Sequence, residues 1–475
     1  MAFTTIQYFI FLFITIFLYY LLPGRYKKYL ILASSVYFYG SVRIGYLFIV
    51  LFVILFNYFI GILLQNIKDK RIKRFDLIIS ILLNLGILVY FKYLDFLLFN
   101  ISSVFSLFQF KISHTILNLV LPLGLSYYIF QVIGFNFDIY RGAQKAEKNI
   151  INFSLFIMFF PKLLVGPIER AKNLLPQIRD YISFNNENII DGGKSIIWGL
   201  FKKLVIADRI SIYTDAVFNN LEHHSGKTIL LATILYGLQV YADFSGYTDI
   251  AIGSARLFGI KLMDNFNRPF FSKNVSEYWR RWHISLSSWV SDYIYTPIVL
   301  KRRDWGNYSV YFALFISFLI IGIWHGARWN YILFGIIQAL ALMLEVITKK
   351  IRKKISKRIP AFTYNGISIF LTFSFISFSL TIFRANTFND ALKVLDRIFF
   401  VHGDLFIDKP STILFIIIGC AILLLSEIIK EFQLANISFL NNRNWLVQWI
   451  SYAFLLLYIL MAGVFDGGQF IYAQF

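Results

Sequence analysis

Charged residues are scarce in this chain of 475, at 15% of the total, where an ordinary soluble domain carries roughly 25%. So little charge cannot cover a water-soluble fold of this size. With 58% hydrophobic residues and a mean hydropathy of +0.65, the chain reads as a polytopic membrane protein. Cysteine is almost absent. Cys420 stands alone in a late apolar run, which excludes an intramolecular disulfide and a cysteine-based metal site. Acidic residues are the scarcer sign, 26 against 46 Lys and Arg, for a formal charge of +20. In a soluble chain that balance would point to nucleic acid. Here the basic residues sit in short loops at the ends of apolar runs, the positive-inside pattern, so they orient the chain and meet anionic lipid rather than nucleic acid. A cytosolic polyanion, such as a nucleotide-bearing acyl carrier, is an added candidate partner.

Several motifs are also missing. No His-Glu-x-x-His pattern occurs, and the adjacent His223 and His224 point apart on any regular element, against a shared metal. There is no phosphate-cradling glycine loop and no Gly-x-Ser-x-Gly elbow. No internal repeat is visible, which weighs against an inverted-repeat transporter.

What is present is a series of roughly eleven to thirteen apolar stretches long enough to cross a bilayer. Ile6–Leu22 is too long and bulky for a removable signal and reads as a retained span. It ends at Arg25, Lys27 and Lys28, which puts that loop in the cytoplasm and the N-terminus outside. Tyr29–Gly40, Ile44–Gln65 and Phe75–Phe99 follow, with a basic run from Lys68 to Arg74. Ile116–Phe137 reads as a span bent by Pro122 and Gly124. Phe160–Arg170, FPKLLVGPIER, holds two prolines and is not a regular span. Gly193–Tyr213 mixes apolar residues with Lys202, Lys203, Asp208 and Arg209 and reads as interfacial or re-entrant. At least one of these last two stretches does not cross, because counting both breaks the alternation of basic loops. Later spans begin at Tyr308, Trp329, Ile367, Thr412 and Leu446 and lead to an external C-terminus. One integral-membrane domain is expected over 1–475, with N-terminal helices in 1–115, a catalytic core in 116–350 and C-terminal helices in 351–475.

The chain is organised around Ile321–Gly335, IGIWHGARWNYILFG. An ionisable side chain at membrane depth is costly and marks a functional site by default, so His325 is the leading candidate. Gly326 permits a helix break there, and irregular backbone at that depth is tolerated only inside protein or beside a wet cavity. Ser276–Trp289, SEYWRRWHISLSSW, places Trp279, Trp282, Leu286 and Trp289 on one helical face and predicts an amphipathic helix in the interface plane. Arg280 and Arg281 are available to phosphates. His283 on this segment is either a second functional imidazole or a hydrogen-bonded group at a helix end. Asp243 and Asp249, in YADFSGYTDIAIG, either pair with Arg256, Arg268 or backbone groups, or line the cavity. His114 and His402 read as ordinary interfacial or solvated residues.

Together these residues suit acyl transfer to a hydroxyl. Imidazole is the usual base near neutral pH, and a thioester donor needs no metal. Trp324 and Trp329 N–H groups, or backbone amides, would serve a developing oxyanion. A glycan or lipid transporter using the same residues as a proton relay is the competing reading.

The chain resembles the membrane-bound O-acyltransferases, in their bacterial alginate and peptidoglycan O-acetyltransferase branch. The resemblance rests on FPKLLVGPIER, YADFSGYTDIAIG, DNFNRPFF at Asp264–Phe271, SEYWRRWHISLSSW, IWHGARWN at Ile323–Asn330, FRA at Phe383–Ala385 and the FIYAQF ending at Phe470–Phe475, in the family's order. It implies a ring of helices around a thin centre crossed by a tunnel. His325 would be the essential intramembrane histidine and His283 the second one, nearer the cytoplasm. Trp324, Trp329, Asn330, Trp282, Asp243 and Asp249 would line the substrate path. Acetyl-CoA would be the donor, with no bound cofactor, its phosphates met by Arg280, Arg281 and Lys301. The acetyl group would leave the bacterial cytoplasmic membrane for a polysaccharide, through a periplasmic SGNH-type partner. Alginate, cellulose and peptidoglycan systems share these motifs, and D-alanyl transfer to teichoic acid is a related reaction. Many Phe, Tyr and Ile with only 27 Gly and 9 Pro indicate an AT-rich genome and tilt the acceptor to peptidoglycan.

Overall fold

The computed structural model describes every residue except 111–116, 118, 181–182, 386, 408, 435–439, 441, 443 and 466–475. His114 and Phe470–Phe475 lie outside the described residues. Among the described residues there is no strand, and the protein is all-α and polytopic. Among the described residues, eight helices are long and apolar enough to cross a membrane: Gly45–Asn66, Lys70–Leu107, Gly226–Leu257, Asn307–His325, Trp329–Ile347, Ala361–Arg384, Pro410–Glu431 and Trp445–Ala462. The larger count read from hydropathy includes shorter helices, among them Ile6–Leu21, Gly24–Gly40 and Leu125–Arg141.

The described residues form two compact units. One comprises Met1–Gly193, Ala251–Met263 and Gly326–Arg328; the other comprises Lys194–Ile250, Asp264–His325 and the described part of Trp329–Phe475.

In the first unit, helices start where a side chain can take the first free N–H groups. Asp69 accepts from Arg71 N at 2.7 Å, and Asn149 accepts from Ile151 N at 2.9 Å. Gly45–Asn66, Lys70–Leu107 and Leu125–Arg141 are joined by buried amides. Asn57 Oδ1 accepts from Asn84 at 2.9 Å and from Asn136 at 2.7 Å. Inside apolar surroundings such bonds fix which helix faces meet. The expected span Ile116–Phe137 is corrected here, because its helix begins only at Leu125. Gly124, at φ +69°, turns the chain, and a Cβ there would stand 2.1 Å from the Leu163 carbonyl oxygen. FPKLLVGPIER forms one short helix, Phe160–Leu163, and then leaves helical structure before Ala171. Its Glu169 accepts from Met263 N at 2.5 Å, while Gln177 brackets Lys261 through bonds of 2.8 and 2.9 Å.

In the second unit, the middle of the stretch read as interfacial or re-entrant is enclosed in protein. The π-helical turn Phe201–Ala207 is entirely buried. It meets Gly226–Leu257 where glycines let the backbones close up. A Cβ on Gly199 would stand 2.6 Å from Gly246 O, and one on Gly246 2.8 Å from Gly199 O. That approach sets Lys202 Nζ 2.7 Å from Asp249, and Lys203 Nζ 2.7 Å from both Asp208 and Asp243. Asp243 and Asp249 therefore pair within the fold, with Lys203 and Lys202.

The Ser276–Trp289 segment is also corrected. It forms two short helices, Val275–Arg281 and Ile284–Val290, with a break at Trp282 and His283. Its tryptophans are buried in protein, at 5% exposure for Trp279, 3% for Trp282 and 5% for Trp289. A face that reads as suited to lipid packs on protein instead. Trp279 Nε1 donates to Gln338 Oε1 at 3.1 Å, and Gln338 Nε2 donates to Ser379 Oγ at 2.9 Å. Asn274 caps the first short helix through Glu277 N at 2.8 Å, and Glu345 takes Val275 N and Ser276 N at 2.5 and 3.1 Å. A backbone turn that would otherwise be free to shift is thus held from two sides.

Candidate active site

His325 is the last residue of Asn307–His325, and the helix breaks over Gly326–Arg328 before resuming at Trp329. That helix and Trp329–Ile347 touch through a glycine pair. A Cβ on Gly335 would meet Phe318 O at 2.3 Å and Gly322 Cα at 3.1 Å. The approach places His325, 3% exposed, against aromatic rings. Its ring centroid lies 5.2 Å from Phe383 and 6.3 Å from Phe334, both edge-on.

Trp324 carries the arrangement to the second imidazole. Its ring stands 5.2 Å from His325 and 5.6 Å from His283. The ring of Phe244 stands edge-on to His283 at 4.7 Å. His283 has no measurable exposure and adopts a left-handed backbone, φ +43° and ψ 53°. A bulky residue in that region costs energy and persists only where the surroundings over-determine it, a pattern found at functional sites. Burial first, and then the neighbouring His325, hold the His283 pKa well below the usual histidine value. The ring is therefore neutral at physiological pH and able to accept a proton.

The loop after Gly226–Leu257 supports that ring. Asn265 O accepts from Ile284 N at 2.9 Å, and Asn267 N donates to Arg281 O at 2.9 Å. Asn265 Oδ1 then sits 3.1 Å from His283 Nδ1, 3.1 Å from Ser285 N and 2.8 Å from Ser285 Oγ. Two buried imidazoles around one indole form a site suited to general acid–base chemistry.

The family profile "MBOAT, membrane-bound O-acyltransferase family" matches residues 144–383, an interval that contains both histidines and Asn265. The chain belongs to the membrane-bound O-acyltransferase family. It is an acyltransferase with multiple membrane passes. Among its relatives in this family, a protein named "Probable alginate O-acetylase AlgI" from Pseudomonas putida is 34% identical over 403 residues, covering 82% of this chain and 79% of the relative. The peptidoglycan O-acetyltransferase of Helicobacter pylori is 32% identical over 403 residues, covering 79% and 74%. The teichoic acid D-alanyltransferase of Bacillus subtilis is 30% identical over 308 residues, covering 61% and 77%.

The O-acyltransferase fold gathers some of the residues singled out in the sequence and separates others. His283, Trp324 and His325 come together. Trp282 lies beside them in sequence but stacks on Tyr278 at 5.4 Å and meets Phe266 edge-on at 5.0 Å, so it supports the loop. Asn330 Nδ2 donates to Ala385 O at 2.7 Å and ties the FRA segment at the end of Ala361–Arg384. Trp329 is 62% exposed, unlike the enclosed Trp324. Arg281 is committed to Glu431 at 2.9 Å and Glu277 at 2.7 Å, whereas Arg280 is exposed beside Ser276. Asp243 and Asp249 form the lysine pairs described above. Asn265, Phe383 and Gln338 were not singled out individually. The first two lie inside quoted motifs, but nothing in their spacing marks them as neighbours of a histidine.

Proposed function

We propose that this enzyme takes acetyl groups from cytosolic acetyl-CoA and delivers them across the bacterial cytoplasmic membrane for O-acetylation of peptidoglycan, through a periplasmic SGNH-type transferase. The observation that carries the reading is the pair of buried imidazoles flanking Trp324. In the reaction an acceptor hydroxyl loses its proton to His325 as its oxygen attacks the thioester carbonyl. The C–S bond then breaks, and the proton ends on the departing CoA sulfur. A base at this point raises the nucleophilicity of an otherwise weak hydroxyl, and the Trp324 N–H would serve the oxyanion. A tunnel open to both faces would bring thioester and hydroxyl within bonding distance, with Arg280 and Lys301 toward the donor's phosphates. Support for acetyl transfer comes from the names of the alginate and peptidoglycan relatives, and the residue usage favours peptidoglycan.

The test has two arms. Membranes bearing wild-type protein should move label from acetyl-CoA to an acceptor, and His325→Ala should abolish the transfer while the protein remains folded. Retained transfer would remove His325 from the chemistry. Mass spectrometry of wall muropeptides with and without the protein tests the acceptor, and unchanged muramic acid acetylation would exclude peptidoglycan. Label arriving from a D-alanyl carrier protein, and none from acetyl-CoA, would replace the donor.

A further inference from the structure

We infer that Asn265 is a positioning residue that holds neutral His283 in the tautomer with its hydrogen on Nδ1, leaving Nε2 as the proton-accepting atom. The inference deepens the acyl-transfer reading and rests on it for its catalytic meaning, but the tautomer itself follows from hydrogen bonding alone. An asparagine amide can present oxygen or nitrogen to a neighbour, so its orientation has to be decided by a group with no choice. Ser285 N is such a group. A backbone N–H only donates, and it lies 3.1 Å from the Asn265 side chain. The atom facing it is therefore the oxygen. His283 Nδ1 lies 3.1 Å from that same oxygen. An amide oxygen only accepts, so Nδ1 must carry the hydrogen, and in a neutral ring Nε2 then carries the lone pair.

The rest of the site agrees. Ser285 Oγ gives its own hydrogen to Asn265 Oδ1 at 2.8 Å, so it does not supply a competing donor to Nδ1, 3.4 Å away. The orientation leaves Asn265 Nδ2 buried without a hydrogen bond in the structure. Such an orphan donor costs about 1–3 kcal/mol, which the three interactions at the oxygen offset. The loop has little freedom to escape this geometry, because Asn265 O and Asn267 N are both bonded to the His283 segment. The choice of amide also has chemical content. A carboxylate at this position would favour the imidazolium, whereas a neutral acceptor fixes the tautomer and keeps the ring uncharged.

The experiment is solid-state 15N spectroscopy of histidine-labelled protein in lipid bilayers, with the His283 signals identified by their loss in His283→Gln. Wild-type His283 should show a protonated Nδ1 and a bare Nε2. Asn265→Ala should shift the ring toward the Nε2–H form, and Asn265→Asp, which keeps an acceptor, should retain Nδ1–H. Wild-type His283 protonated on Nε2, or a ring indifferent to Asn265→Ala, would overturn the inference. These readouts do not depend on the donor, so an enzyme inert toward acetyl-CoA would count against the proposed function and not against the tautomer. In the transfer assay, Asn265→Ala should lower kcat by about 10- to 100-fold with KM little changed. Asn265→Asp should move the acid limb of the kcat–pH profile to higher pH, because a raised pKa keeps His283 charged, and so unable to relay the proton that His325 takes from the hydroxyl, up to a higher pH. An Asp variant whose acid limb coincides with wild type would refute the positioning role.

Discussion

Replacing Gly335 by alanine asks how tightly the placement of His325 depends on one helix contact. The added Cβ would stand 2.3 Å from the backbone oxygen of Phe318, and neither backbone atom can rotate away. Ordinary contact begins near 3.4 Å, so Asn307–His325 and Trp329–Ile347 must part locally by about 1 Å, as close packing allows no other relief. Gly322 lies one turn before His325, so the imidazole moves with the shift. A misplacement of about 1 Å in a reacting geometry can cost about 10²-fold in rate. Gly335→Ala should therefore lower kcat for acyl transfer by about that factor in reconstituted vesicles. Gly366→Ala is the control, since a Cβ there meets nothing within 4 Å. It should leave the rate unchanged and stabilise its helix by about 0.5–1 kcal/mol. Wild-type kcat in Gly335→Ala, or equal losses in both variants, would refute the claim that this contact sets the site.

Two further outcomes follow from buried groups. Lys203→Met takes the shared lysine from Asp208 and Asp243, and breaking a buried pair this way costs about 3–5 kcal/mol. Asp243→Asn leaves Lys203 its Asp208 partner and should cost less. The order is checked by the temperature at which each variant leaves the monodisperse peak in detergent chromatography, and a reversed order counts against the pairing. At the left-handed His283, the glycine variant should outlast the alanine variant on heating, opposite to their usual ranking. An alanine variant that is the more stable would mean the backbone relaxes there.

The fold class was legible because apolar runs with basic ends leave few alternatives, and His325 because an imidazole between two such runs has no ordinary explanation. The failures share a cause. The tryptophan face of Ser276–Trp289 reads the same whether it meets lipid or protein, and periodicity does not register a single left-handed residue at its centre. Lys202, Lys203, Asp243 and Asp249 were each conspicuous, yet their pairing depends on the close approach of Gly199 and Gly246. Asn265 had no signal of its own. Its role comes from one loop lying beside another, a relation that local spacing does not encode.

The lysine–aspartate ladder has a consequence for how the chain is made. Gly226–Leu257 carries Asp243 and Asp249, and a lone carboxylate at the centre of a membrane helix is disfavoured by about 2.5–3.5 kcal/mol during insertion. Their counter-charges, Lys202 and Lys203, leave the ribosome first. Lys203 meets Asp208 within its own segment, whereas Lys202 finds its carboxylate, Asp249, only on the later helix. The two segments thus become acceptable to the bilayer only as a couple, which ties the order of assembly at the translocon to the interior of the finished enzyme.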